Sequence, residues 1–402
     1  MEAERAGIDT KPMVALSAGH FAADFASGSV PALIPFLTDR FDLSYALAAV
    51  LLLAATVSSS LVQPLFGLFS DRSSALWLIP GGVALAAVGI GGAAISPLYP
   101  LVVVLVFFGG LGVAAFHPEG AKFAAYASGA KRASGMSYFN IGGNTGYALG
   151  AFATGQAVVW LGMVGGLLAM VPVLLASVVL LRILPSLSRL KPESSTRTLT
   201  AADDRRGAMA WLSGVIILRS VAWFTLLAFV PLWVVAHGHS KEAGNRLLFA
   251  MLLAGAVGTL VLGPVADRIG LRRTLLLTQI AIGPLVLVFV YVGGVAGVAA
   301  LMLVGVCVVG SFGVTMVLSQ LYLPRHVGMA SGLAVGLAMG IGGIAAVVLG
   351  AVADVTSLRA ALTACAVAPA FGVLLCLKLP GPRPRAAVAR EAARPIALTT
   401  DT

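Results

Sequence analysis

Twelve long apolar runs, one after another with short polar breaks, restrict the fold of this 402-residue chain more than any other feature. They lie near 12–37, 44–69, 75–95, 98–124, 133–158, 160–184, 210–236, 243–266, 273–293, 295–320, 329–352 and 358–379. Each is long enough to cross a hydrocarbon layer, which takes about 20 residues of helix. A backbone in hydrocarbon must satisfy its own N–H and C=O groups, so runs of this length are helices. Composition agrees: 59% of the residues are hydrophobic, 10% are charged, and the mean hydropathy is +0.99. A water-soluble core needs far less apolar surface. The first run holds His20 and Asp24 and ends without a small-residue cleavage site, so it reads as a retained span. Cys307, Cys365 and Cys376 sit inside apolar runs without paired spacing, which excludes a disulfide framework and a cysteine zinc site.

The formal charge of +10 raises the question of nucleic acid, and the position of the charges answers it. The longest polar segment, 185–209, carries Arg189, Lys191, Arg197, Arg205 and Arg206 and divides the spans six and six. With that linker and both termini placed in the cytoplasm, 21 of the 26 Lys and Arg fall on the inner side. Four (Arg40, Lys241, Arg246 and Arg359) fall outside, and Arg219 lies within a span. That asymmetry sets the orientation by the positive-inside rule, and nucleic acid is not needed to explain the charge.

The chain repeats itself. Gly67-Leu-Phe-Ser-Asp71-Arg72 recurs as Gly263-Pro-Val-Ala-Asp267-Arg268, 196 residues later, and Pro35 recurs as Pro231 at the same offset. Ala133-Ser134-Gly135 recurs as Ala330-Ser331-Gly332 at 197, which carries Gly143 onto Gly340 and Gly146 onto Gly343. The expected fold is an all-α integral membrane protein of twelve transmembrane helices in two six-helix pseudo-symmetric halves. Its units are 1–184, a cytoplasmic linker 185–209, a second half 210–380, and a tail 381–402. Halves repeated in one orientation place a binding site between them near the bilayer midplane.

The duplicated Gly-x-x-x-Asp-Arg loop, nearly complete in its second copy through Gly270-Leu-Arg272-Arg273, resembles the signature of the major facilitator superfamily. The first copy lacks the glycine and basic pair after Arg72. Within that superfamily, several segments resemble the fosmidomycin resistance family of bacterial drug exporters. These are Gly19-His20-Phe21 through Asp24, Pro31 to Pro35, Ser59 to Gly67, Phe116-His-Pro-Glu-Gly120, and Ser137 to Gly146. The resemblance implies a twelve-helix inner-membrane antiporter that expels a small compound in exchange for protons.

Ionisable groups at membrane depth mark function by default. His20 and Asp24, four apart on one helical face, suit a proton site, with the alternative that they only hold the helix together. His117 and Glu119 follow in the fourth span, where Pro118 is expected to kink the helix and Glu119 to pair with Lys122. Their depth, nearer the cytoplasmic mouth than Asp24, suggests a gate or proton exit; capping of a helix end is the competing reading. Arg219 maps by the repeat to Ala23, opposite Asp24, and suits a phosphonate, phosphate or carboxylate held in a bidentate fork, or else a structural pair with Asp24 or Glu119. Gln63, Tyr138, Asn140 and Asn144 are candidate substrate contacts, with interhelical packing as the alternative for each, and Trp223 is a candidate apolar wall for the substrate, with a lipid-facing or interfacial place as its alternative. Asp71, Arg72, Asp267 and Arg268 are the candidate conformational latch.

The leading expectation is proton-coupled export of a small drug-like or anionic compound by alternating access; proton-coupled uptake of a small organic anion uses the same groups. An intramembrane enzyme is disfavoured because no His-Glu-x-x-His motif is present, and a membrane sensor because no soluble domain is appended. No metal and no cofactor is expected. The partners are a small-molecule substrate, protons and the lipid bilayer, with the chain a monomer.

Overall fold

The computed structural model describes residues 7–72, 75–129, 132–190, 204–324 and 327–381, apart from a few side chains within those ranges. Helix α1 (Thr10–Phe41) is the first span. The second is interrupted: α2 (Tyr45–Thr56), a π-helical turn (Val57–Leu61) and α3 (Gln63–Arg72). Next come α4 (Leu78–Ile95), α5 (Tyr99–Ala127) and α6 (Arg132–Leu161), and a sixth span made of α7 (Met163–Leu168) and α8 (Val171–Leu187). The last six are α9 (Arg206–Ala236), α10 (Lys241–Ile269), α11 (Leu271–Tyr291), α12 (Gly294–Tyr322), α13 (Val327–Val355) and α14 (Leu358–Lys378).

The twelve expected runs thus become twelve spans, two of them broken. Both breaks have a local cause. Pro64 has no N–H and crowds the carbonyl four residues earlier, and the preceding serines offer the backbone other partners. Ser58 Oγ, for instance, donates to the Ala54 carbonyl at 2.7 Å. In the sixth span Pro172 occupies the first turn of α8, where its missing donor is tolerated.

Among the described residues, eleven helical stretches are long and apolar enough to cross a membrane. The span outside that set is α6, which is 30 residues long but carries Asn140, Asn144, Thr154 and Gln156. The least apolar of the eleven, α1, is deeply buried, and the most apolar, Met163–Leu187, is the least buried. A helix with polar groups needs protein around it, whereas one that is apolar all round can face lipid. So α1 sits at the centre of its half, against α4, α5, α6 and α8, and α9 holds the matching place against α13 and α14.

The α1–α6 contact is made by glycine. A Cβ added at Gly142, Gly146 or Gly150 would lie 2.3, 2.2 or 2.1 Å from the carbonyl oxygens of Ser17, Phe21 and Phe25, and one at Gly28 would lie 2.0 Å from that of Tyr147. The backbones therefore approach as closely as small-residue packing in lipid permits. Repeat partners do not repeat the contact: Gly343 faces Thr56 and Gly340 faces Leu61, so these glycines serve the seam between α13 and the second span.

Several polar contacts between the first six and last six spans lie at the end of the bundle opposite the N-terminus. The Asp354 carboxylate accepts from the Tyr45 and Ala46 N–H groups at 2.6 and 3.0 Å, capping α2 from the other half. Lys241 pairs with Asp39, and Asn245 Nδ2 donates to the Ala32 carbonyl at 3.0 Å. This end is closed.

Gly146→Ala is expected to force α1 and α6 apart at a cost of about 1–3 kcal/mol. Gly263→Ala, whose Cβ would meet nothing within 4 Å, is the control. Melting in detergent, followed by tryptophan fluorescence, should show a lower midpoint for the first variant and an unchanged or higher one for the second.

Candidate functional site

α1 and α5 belong to one half and run antiparallel, which brings two histidines to one depth. His20 lies ten residues after the start of α1 at Thr10, and His117 ten residues before the end of α5 at Ala127. Their rings meet edge-on with centroids 5.0 Å apart. Asp24, one turn beyond His20, lies between them: Oδ2 is 3.3 Å from His20 Nε2 and Oδ1 is 3.3 Å from His117 Nε2.

The far side of each ring is fixed by backbone. His20 Nδ1 is 2.8 Å from the Phe139 carbonyl on α6, and His117 Nδ1 is 2.8 Å from the Val113 carbonyl one turn back. A carbonyl only accepts, so each Nδ1 carries hydrogen and each Nε2 is turned to the carboxylate. The Phe139 ring stacks on His20 at 4.1 Å. Over the cluster lies Gly143, where a Cβ would stand 2.4 Å from His20 Nε2 and 2.7 Å from Asp24 Oδ2.

This differs from the sequence reading in three ways. His117 is not at a separate mouth but in contact with Asp24; α5 runs three residues past the apolar run that was used to gauge depth, and an imidazole spans the remaining turn. Helix α5 passes through Pro118 unbroken, as prolines do in membrane helices whose neighbours support them. Gly143, named above only for its place in the repeat, lies directly against the ionisable groups.

Glu119 is fully buried and pairs with Lys122 at 2.7 Å, as the spacing suggested. Being two residues past His117, it is turned about 200° round the helix and does not join the cluster.

Arg219 is fully buried on α9, but it faces α12. Its Nη1 donates to Ser311 Oγ at 2.8 Å and Nη2 to Thr315 Oγ1 at 3.5 Å, while the guanidinium lies 4.4 Å from the Phe312 ring centroid. Nε has no hydrogen-bond partner, and among the described residues Arg219 forms no ion pair. The suggested pairing with Asp24 or Glu119 is therefore not made. Ser311 and Thr315 were missed in the sequence; their signal was two hydroxyls four apart on one face of an apolar span.

Of the other candidates, Trp223 is buried one turn beyond Arg219, Gln63 is half-buried at the start of α3, and Tyr138, Asn140 and Asn144 are exposed on α6. The side chains of Asp71 and Arg72 lie outside the described residues. Asp267 and Arg268 are exposed at the end of α10, next to Gly270, whose φ of 97° forms the one-residue joint to α11. A side chain is disfavoured in that conformation, which explains the glycine of the repeated loop.

A twelve-helix duplicated bundle with ionisable groups buried in its central helices already narrows the family. The family model described as Major Facilitator Superfamily matches residues 16–347 and 212–400. The chain belongs to the major facilitator superfamily. It is a multi-pass membrane transporter for small molecules. It is similar to the MFS-type transporter YfnC of Bacillus subtilis (strain 168), 32% identical over 369 residues covering 89% of this chain and 90% of the relative. It is also similar to the fosmidomycin resistance protein of Escherichia coli (strain K12), 29% identical over 367 residues and 90% of each chain. Among solved structures, a bacterial homologue of the human lysosomal transporter Spinster shares the fold with a TM-score of 0.75 at 14% identity, over 92% of this chain and 97% of the other.

Removing a buried charge that has no acidic partner leaves no stranded counter-charge. Arg219→Met is thus expected to melt no lower than the wild type, whereas Asp24→Ala, which leaves two imidazoles without their carboxylate, is expected to melt lower. Detergent melting of both variants checks this.

Proposed function

We propose that this transporter is a proton-coupled antiporter that exports a small drug-like or anionic compound, of the fosmidomycin type, by alternating access. One observation carries the reading: Asp24, well inside the bundle, is held by two imidazoles and, among the described residues, by no other charged group. A carboxylate so placed changes its charge by taking or losing a proton, and the flanking imidazoles supply relay positions on either side. His20, Asp24 and His117 act together as the proton-coupling group, with Glu119 on the same helix as a further carrier.

Arg219 is the substrate's anchor in the other half. An anion offers this guanidinium the counter-charge it otherwise does not have, and the planar fork matches phosphonate or carboxylate oxygens. Trp223, Gln63, Tyr138, Asn140 and Asn144 line the path. Substrate binding at Arg219 and protonation at Asp24 are coupled through the movement of one half (1–184) against the other (210–380). The likeness to the fosmidomycin resistance protein supports export.

The protein works as a monomer in the bacterial inner membrane with both termini in the cytoplasm. In that orientation the closed end is the outer one, and the described state faces inward. Asp354 on the α2 N-terminus, with Lys241–Asp39, then forms the outer gate, and the repeated Asp-Arg loops (Asp71, Arg72, Asp267, Arg268) form the inner latch.

Two measurements test the reading. In proteoliposomes with an imposed pH gradient, a small panel of phosphonates, organic acids and cationic drugs should include a compound that moves against the proton flow. Asp24→Asn should abolish the gradient's effect while leaving exchange of that compound measurable. If Asp24→Asn and Glu119→Gln both keep gradient-driven transport, protons are not coupled here. For the gate, Asp354→Ala should raise the labelling rate of a cysteine placed at Ala46 by a membrane-impermeant reagent added from outside.

A further inference from the structure

We propose that His20 Nε2, one Asp24 carboxylate oxygen and His117 Nε2 form a binding site for a single divalent transition-metal ion of the zinc class. The site keeps a fourth position open toward the interior of the transporter. This goes beyond the transport reading and stands whether or not protons drive transport.

The first argument is one of lone pairs. Both Nδ1 atoms are committed as donors to backbone carbonyls, so a neutral His20 and a neutral His117 each turn a bare Nε2 toward a carboxylate that also only accepts. Three acceptor atoms, all within 4.8 Å of one another, then share one small volume. Such an arrangement needs positive charge between its members, which added protons or one bound cation can supply. Among the described residues no lysine or arginine is paired with Asp24.

The second argument is distance. Two ligand atoms each about 2.0–2.1 Å from zinc, at an angle of about 109°, stand about 3.3 Å apart. His20 Nε2 stands 3.3 Å from Oδ2 and His117 Nε2 3.3 Å from Oδ1, so each nitrogen is at this spacing from its own carboxylate oxygen, and one atom from each of the three residues lies within 4.8 Å of the others. Two ring nitrogens with one carboxylate oxygen are a ligand set that zinc, cobalt and iron accept with positions to spare.

The third argument is support around the ligands. Metal-binding imidazoles characteristically donate their other N–H to a carbonyl or carboxylate, which fixes tautomer and ring direction; both rings here do so. Gly143 leaves clear the space above His20 Nε2 and Asp24 Oδ2 that any Cβ would fill. The Asp24 and His117 side chains retain 19% and 24% exposure, so the fourth position is reachable by water or by a donor atom of a passing solute.

The experiment uses the full-length transporter, purified through a tag without histidine, stripped with a chelator and titrated with Co²⁺ alone. The expected result is saturable binding near one equivalent with the visible ligand-field absorption of low-coordinate cobalt, removed by Zn²⁺. Asp24→Asn and His117→Gln should each weaken binding at least ~10-fold, and His239→Gln, an exposed histidine outside the cluster, should not. Gly143→Ala, which removes no ligand atom, should weaken it too. Melting curves confirm that each variant is folded. Absence of cobalt absorption in folded, stripped wild type means that the three groups take protons only and overturns the proposal. Equal affinity in folded Asp24→Asn and wild type places the ion elsewhere and overturns it as well.

Discussion

The contact between Asp24 and two imidazoles is what the rest of the bundle has to accommodate. A carboxylate at this depth is costly in hydrocarbon, and a helix that carries one cannot face lipid. That requirement explains why the least apolar span is enclosed by four neighbours. It also explains why α6 is rich in glycine where it meets α1. The His20 ring must reach the Phe139 carbonyl and Asp24 must stay under Gly143, and both need the two backbones in near contact. Enclosure of the acid and close packing of α1 on α6 are therefore one constraint seen from two sides.

The second half answers with different chemistry on the same scaffold. Where the first half puts His20 and Asp24 on its central helix, the second puts Ile216 and Ser220 at the corresponding positions and Arg219 opposite Ala23. The duplication kept helix lengths, Pro35 as Pro231, and the Gly-x-x-x-Asp-Arg loop. It did not keep the charges, and the glycine series of α6 and α13 pack on different partners. A two-fold symmetric frame thus holds two unlike sites.

Much of this was legible in the residues alone. Twelve spans followed from run length, with ends within a few residues, because hydrocarbon thickness sets helix length independently of sequence detail. The family resemblance rested on motifs that the comparisons bear out. Depth was harder to read: His117 was placed away from Asp24 because apolar runs stop short of helix ends, and a one-turn error there decides whether two side chains touch. Orientation was harder still. Nothing in the periodicity of α9 says that Arg219 turns to Ser311 and Thr315, since a span that is apolar nearly all round leaves its facing direction to its neighbours. Asp354 was invisible for the same reason: its partners are backbone N–H groups some 300 residues away, which have no side-chain signature.

The environment of Arg219 has an electrical consequence. A guanidinium cradled by two hydroxyls and an aromatic ring keeps its full monopole, because among the described residues no carboxylate pairs with it to turn it into a dipole. Any shift of α9 along the membrane normal is then a displacement of net charge through the transmembrane field. Carrying one elementary charge across the whole field is worth about 2.3 kcal/mol per 100 mV. A movement through a tenth of the thickness would still bias the exchange between states by about 0.2 kcal/mol. With such a movement, the resting voltage of a cell would act on the transporter through its own side chain, before any solute is bound.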